Sequence, residues 1–191
     1  MSGEHRVTVE GGRIRSPRLT LRPWTVEDAE AALVVYGVDE VARWLSPAME
    51  RVADVDRMRS LIESWVGEDL EPPQGRWAIV VTGTGELVGG VAVLPLPPQG
   101  EDLEVAWQLA PHAWGQGYAA EAGHAVAHHV FTSGVEELFA VVRTQYGRGA
   151  ATAQRVGMEW VGETEKYYDL RLQVFRLRKG ELDVPLPPHR G

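Results

Sequence analysis

Residues 111–131, PHAWGQGYAAEAGHAVAHHVF, set Gly115 and Gly117 one residue apart, directly ahead of an alanine-rich run of helical character. The first turn of a helix leaves its N–H groups unpaired at the positive end of the dipole. A glycine-bearing turn feeding a helix therefore suits an anionic ligand that must come close to backbone amides. The same glycines also suit a tight strand-to-helix turn in which they only relieve strain. Two glycines alone do not separate these readings, and the residues on either side bear on the choice.

Immediately upstream, LEVAWQLA (103–110) alternates strictly. Leu103, Val105, Trp107 and Leu109 fall on one face of a strand, and Glu104, Ala106, Gln108 and Ala110 on the other. Downstream, a helix over about 117–131 carries a narrow stripe of small residues (Ala119, Ala122, Gly123, Val126 and Val130), which lets a helix lie close against a sheet. Farther out, RLTLRPW (18–24) reads as a short strand, followed by a helix with Thr25 as N-cap and Gly37 as stop. DEVARWLS predicts a second short helix. A third covers 52–69, where Val55, Met58, Leu61, Ile62 and Trp65 recur at helical spacing. GRWAIVVTGTGELVGGVAVLPL reads as a hairpin of two strands. Beyond the central helix come a strand in VEELFAVVR, a short helix ending at Gly157, and two closing strands. The order βααα-βββ-αβαββ implies an α/β or α+β sheet protein with one strand–glycine–helix unit near its middle.

The 191 residues are 44% hydrophobic and 24% charged, the proportions of one globular domain with a sizeable core. Residues 1–15 are expected as a flexible lead, 16–180 as the domain, and the proline-rich 181–191 as a loose tail. The lead carries charges and no apolar core of a signal peptide, and no stretch is long enough to span a bilayer, so a soluble, cytoplasmic protein without a membrane partner is expected. A net charge of −8 argues against a nucleic-acid partner and favours a neutral or cationic substrate. With no cysteine, thiolate metal sites and a cysteine acyl-enzyme are excluded. Glu121, His124 and His128 share a helix face but read as a solvated polar face, and no metal is expected.

RLTLRPWTVEDAE, EVAWQLAPHAWGQGYAAEA and AQRVGMEWVGE, in this order and spacing over residues 18–178, resemble the GNAT acetyltransferase superfamily, within it the Rim-type branch of ribosomal-protein N-terminal acetyltransferases. The family signature falls on Trp114, Gly117 and Ala119, with Trp114 as a variant first residue. The resemblance implies a GNAT fold, a mixed, mostly antiparallel twisted sheet flanked by helices, and transfer of an acetyl group from acetyl-CoA to a primary amine on a protein N-terminus or small molecule. It admits a homodimer. It assigns Gln108, Leu109 and Ala110 to the pantetheine arm, and the loop opened by Trp114, with the amides of Gly115, Gln116, Gly117, Tyr118 and Ala119, to the pyrophosphate. Tyr146 stands where the family has a pantetheine-contacting asparagine, and Arg148 is either a partner of the adenosine 3′-phosphate or a surface charge. Gly117→Glu is expected to leave the fold intact and abolish cofactor binding, provided Gly117 needs no positive φ.

An amine must lose a proton to attack a thioester, since α-amino groups titrate at about 8 and lysines at about 10.4. Without a cysteine, direct attack in a ternary complex assisted by a general base is the simpler route. Glu104 is the first candidate for that base, on the face shared with Gln108; a salt-bridged surface glutamate is the other reading. Where many relatives carry a general-acid tyrosine this chain has Ala153, leaving Tyr146, Tyr167, Tyr168 or water. A catalytically silent acyl-CoA-binding module is the alternative function. Tyr36, Trp44 and Tyr168 are candidate acceptor-pocket walls, with Tyr36 and Trp44 equally readable as core.

Overall fold

The computed structural model describes residues 7–45, 49–97 and 100–182. The expected order of elements forms: β3 (Leu19–Pro23), α1 (Ala29–Tyr36), α2 (Asp39–Ala42), α3 (Val55–Val66), β4 (Gly75–Val81), β5 (Leu87–Pro95), β6 (Leu103–Leu109), α4 (Tyr118–Thr132), β7 (Glu137–Arg143), α5 (Gly147–Val156), β8 (Glu159–Thr164) and β9 (Leu172–Arg178). Two further strands precede them, β1 (Thr8–Glu10) and β2 (Arg13–Arg15). This corrects the expectation of a flexible lead as far as residue 15. Gly11 and Gly12 both take positive φ, the backbone of a tight hairpin, so Glu10 pairs with Arg13 and Ile14 is buried. The proline-rich tail from residue 183 lies outside the described residues.

The nine strands form one sheet in the order β1-β2-β3-β4-β5-β6-β7-β9-β8. Every neighbouring pair is antiparallel except β6 and β7, which run parallel. Each face carries its own core. Leu19, Leu21, Trp77, Ile79 and Val105 pack with Ala122, Val126 and Val130 of α4, while Ala78 and Val80 pack with Ala32, Val35, Met58 and Ile62 of α1 and α3. Alternate residues of β4 thus serve opposite faces, as strand periodicity requires. The small-residue stripe on α4 meets the sheet core through Ala122, Val126 and Val130, while its Gly123 faces α5 instead, where a Cβ would come within 2.9 Å of the Val156 side chain.

Local sequence explains the ends of the early helices. Asp54 caps α3 by accepting from the Arg57 N–H at 2.9 Å. Thr25 begins the single helical turn 26–28 that leads into α1. Asp28 there accepts both Arg22 guanidinium nitrogens at 2.8 and 2.7 Å and the Thr25 N–H at 2.9 Å, and these donors hold its carboxyl below the usual range against the opposing effect of burial. No helix among the described residues is long and apolar enough to cross a membrane.

Candidate active site

The site lies where β6 and β7 part. The two strands register at one pair only, Glu104 with Phe139, so their carboxyl ends open into a cleft. Such a point in a sheet is where ligands commonly enter. A cavity of about 350 Å³ fills the wider part. Gln108 and Leu109 of β6, Trp114, Gly115, Gly117, Tyr118 and Ala119 of the connecting loop and α4, Trp44, and Tyr146 and Arg148 at the start of α5 line it. A second cavity of about 100 Å³ continues between the strands and contains Glu104 and Tyr168. Trp44, Trp107, Gln108 and Tyr146 line both.

The loop end is built from backbone. Gly115 and Gly117 have φ of +78° and +79°, a region that side-chain-bearing residues rarely adopt, and Gly117 is the N-cap of α4 with no side-chain cap. The first bond of the helix runs from the Glu121 N–H to the Gly117 carbonyl at 3.0 Å. The preceding amides of the first turn are left for an external acceptor. The positive φ at Gly117 removes the condition under which Gly117→Glu was expected to leave the fold intact; the side chain would be strained there. Gln116 turns outward, its main-chain carbonyl accepting from Arg18 at 2.8 Å and its side-chain Nε2 donating to the His112 carbonyl at 3.4 Å. It does not line the cavity. His112 itself pairs with Glu86 at the loop surface.

Side-chain charge is gathered around this end despite the acidic whole. Arg148 and Arg155 line the cavity, and Arg148 stacks over the Trp114 ring at 4.1 Å. The Trp114 indole N–H donates to the Leu109 carbonyl at 3.0 Å, which fixes the loop to the end of β6. Ala110, assigned by the resemblance to the pantetheine, instead donates its N–H to Val88 at 2.8 Å and is fully buried in the α1–α3 core. Glu121 is engaged by Ser16 and Arg18, and no group of three metal-ligating side chains occurs among the described residues.

The inner end is built from side chains. The Tyr168 hydroxyl donates to Glu104 Oε2 at 2.9 Å. Burial pushes the Glu104 carboxyl up to about 7, with the Tyr168 hydrogen bond pulling the other way. Tyr168 and Asp169 both take left-handed φ, +57° and +52°, a strained turn that delivers the phenol to Glu104. Tyr167 is buried beside Leu96 with its hydroxyl 3.5 Å from Asp102, and Ala153 is fully buried. Tyr146 stacks on Trp44 with ring centres 4.5 Å apart. Arg143 donates to the Leu45 carbonyl and so ties the segment bearing Trp44 to the end of β7.

Tyr36 is a core residue and not a wall of either cavity. It is 3% exposed, packs against Trp24 and Trp65, and reaches the site only by donating its hydroxyl to Gln108 Oε1 at 3.2 Å. Sequence reasoning missed Trp107 as a wall, because strand alternation assigns it to the face opposite Gln108. The parting of β6 from β7 exposes the strand edge, where both faces meet.

The family model for the acetyltransferase (GNAT) domain matches residues 18–159, and the chain belongs to that family. It is an acetyltransferase, of a family that uses acetyl-CoA. It is 26% identical over 155 residues to the uncharacterized N-acetyltransferase YoaA of Bacillus subtilis, covering 81% of this chain and 86% of that protein. Among solved structures it resembles a GNAT-family acetyltransferase from Bacillus anthracis (TM-score 0.74, 18% identity, 88% of this chain and 99% of that one). It also resembles Mycobacterium smegmatis RimJ in complex with CoA-disulfide (TM-score 0.74, 19% identity, 88% of this chain and 85% of that one). A Rim-type acetyltransferase thus shares the fold.

Proposed function

We propose that the chain transfers an acetyl group from acetyl-CoA to a primary amine by direct attack in a ternary complex, with Glu104 as general base. The observation that carries this reading is the continuity of the two cavities. A ligand with its diphosphate on the amides of Gly115 to Ala119 can run past Gln108 and between Trp107 and Tyr146 to the Glu104 chamber. The residues fit such a ligand: two positive-φ glycines, free first-turn amides, and Arg148 and Arg155 at the phosphate end. Bound acetyl-CoA supplies the thioester.

The chain's own groups then handle protons. A carboxyl near 7 is poised to take the ammonium proton at neutral pH, directly or through one water. Tyr168 orients that carboxylate. The phenols of Tyr167 and Tyr168 are engaged by Asp102 and Glu104, which favours Tyr146, a residue lining both cavities, over those two as the group that returns a proton to the leaving sulfur, with water as the other source. Trp44 and Tyr168 border the acceptor side. The sequence resemblance to the Rim-type branch implies a protein N-terminus as acceptor, and the net charge of −8 favours a neutral or cationic amine.

A mass-spectrometric screen tests this, offering acetyl-CoA with peptide N-termini, polyamines, amino acids and aminoglycosides. Acetylation of one amine class that is lost in Glu104→Gln supports the reading. Coenzyme A binding without transfer to any amine would return the chain to an acyl-CoA-binding module.

A further inference from the structure

We propose that Arg18, just before β3, is a positioning residue of the anion-binding loop, setting the direction in which the Gly117 amide faces. The inference rests on the assignment of the 115–119 amides to the diphosphate of coenzyme A. Arg18 lies far from the loop in sequence, yet its guanidinium is committed on three sides. Nε donates to Glu121 Oε2 at 2.7 Å, Nη1 donates to the Gln116 carbonyl at 2.8 Å, and the plane lies 4.7 Å from the centre of the Tyr118 ring. Its backbone N–H and the Ser16 hydroxyl both donate to Glu121 Oε1, at 2.8 and 2.7 Å. Glu121 is 15% exposed but the Arg18 side chain is 47% exposed, so the ion pair itself is partly screened by solvent and the contribution argued here lies in the directed bonds to the Gln116 carbonyl and Glu121.

The consequence follows from peptide planarity. In a trans peptide the carbonyl of Gln116 and the N–H of Gly117 point in opposite directions. With the carbonyl held by Arg18, the Gly117 N–H is turned away from Arg18. Gly117, Tyr118 and Ala119 line the cavity, whereas Arg18 and Gln116 do not. A loop with two positive-φ glycines has other peptide orientations open to it, so an external clamp on this one peptide is what prepares it for a ligand. The clamp also answers an electrostatic problem. Glu121 stabilises the first turn of α4 but sets a negative charge near the site of a diphosphate, and Arg18 compensates that charge on the side away from the cavity.

The guanidinium fork is central here: one nitrogen addresses the carboxylate while another addresses the carbonyl, which an ammonium group does not reproduce. The test compares the full-length wild type with Arg18→Met and Arg18→Lys, titrated with coenzyme A and with pantetheine, which has no diphosphate. Binding is followed by calorimetry and by the ¹⁵N–¹H resonance of Gly117. For Arg18→Met, loss of the charge-assisted bonds is expected to weaken coenzyme A about tenfold to a hundredfold. Pantetheine affinity should stay within about threefold, roughly the scatter of a remote substitution. The Gly117 resonance should shift in the free protein. Arg18→Lys keeps the charge and should recover only a minor part of the loss; it carries the comparison alone if Arg18→Met does not fold. Unchanged coenzyme A affinity, equal loss for both ligands, or full rescue by lysine would each overturn the positioning role. Failure of the wild type to bind coenzyme A would instead overturn the loop assignment itself.

Discussion

The two ends of the cleft are made of different material. At the outer end, Gly115 to Ala119 offer main-chain amides on a loop set by two positive-φ glycines. At the inner end a carboxyl from β6 and a phenol from the β8–β9 turn meet in a small, half-buried chamber. Backbone donors have a fixed charge state, so the outer end should respond to shape and added charge and be nearly blind to pH. The inner end depends on a proton whose affinity is set by burial, and should respond to pH above all. Substitutions that cross this division would break the comparison.

The largest effect is expected at Glu104. Glu104→Gln keeps the size and the Tyr168 hydrogen bond but removes the base, and is expected to lower kcat by about 10²- to 10⁴-fold at neutral pH. Coenzyme A affinity should be unchanged. The rising limb of the wild-type pH–rate profile near pH 7, expected from the Glu104 carboxyl, should disappear with it. A variant that retains the limb would remove Glu104 from the mechanism.

Next comes the reverse experiment at the outer end. Gly117 cannot carry the added charge cleanly because its φ is +79°. Ala119, one residue inside α4 and lining the cavity, can. An acidic side chain there favours the helix by about 0.3 to 1 kcal/mol, which offsets part of the cost of enlarging a half-buried position beside the core, and the unfolding temperature without ligand checks that Ala119→Glu folds. It should lose most of its stabilisation by coenzyme A, which for the wild type reaches about 2.7 kcal/mol at a hundredfold excess over Kd. A normal thermal shift on adding coenzyme A would show that the amides are not the phosphate site.

Tyr168→Phe sharpens the inner end. The hydroxyl donates to the Glu104 carboxylate and lowers its pKa, so its removal should move the rising limb to higher pH and lower the rate at pH 7 by a few-fold. Rate measurements from pH 5 to 9 decide it. A limb moving toward acid would mean that the phenol disfavours the carboxylate.

The same division explains what was legible in the sequence. Period-two alternation put Glu104 and Gln108 on one face of β6, and the paired glycines ahead of an alanine-rich helix marked the loop, because both signals are local. The partners of these groups are not local. Tyr168 is 64 residues from Glu104, and Arg18 is 98 from Gln116, with no motif linking either pair. Tyr36 was ambiguous because an aromatic residue on a short, mostly apolar helix packs equally well as core or as pocket wall; its burial against Trp24 and Trp65 decides for core. The β1–β2 hairpin was missed because three-residue strands are too short to show a period, although Gly11-Gly12 is a hairpin turn signal in its own right.

The smallest expected effect needs no ligand. Burial raises Glu104 to about 7 from its ordinary 4.5. Below pH 4.5 the residue is protonated in both folded and unfolded chains, and its burial carries no charge penalty. As pH rises toward 7 the unfolded chain releases the proton first. The folded chain then binds more protons than the unfolded one, so stability falls through this window and levels off above it. An amide in place of the carboxyl does not titrate, so the unfolding temperature of Glu104→Gln should gain on the wild type between pH 5 and pH 8. Each unit of pKa shift corresponds to about 1.4 kcal/mol, giving a ceiling of about 3 kcal/mol that relaxation of the chamber reduces. At about 2 to 4 °C per kcal/mol for a chain of this size, scanning calorimetry at the two pH values resolves the difference. Parallel curves would mean that Glu104 is hydrated in the folded protein and that the inner end, like the outer, is indifferent to pH.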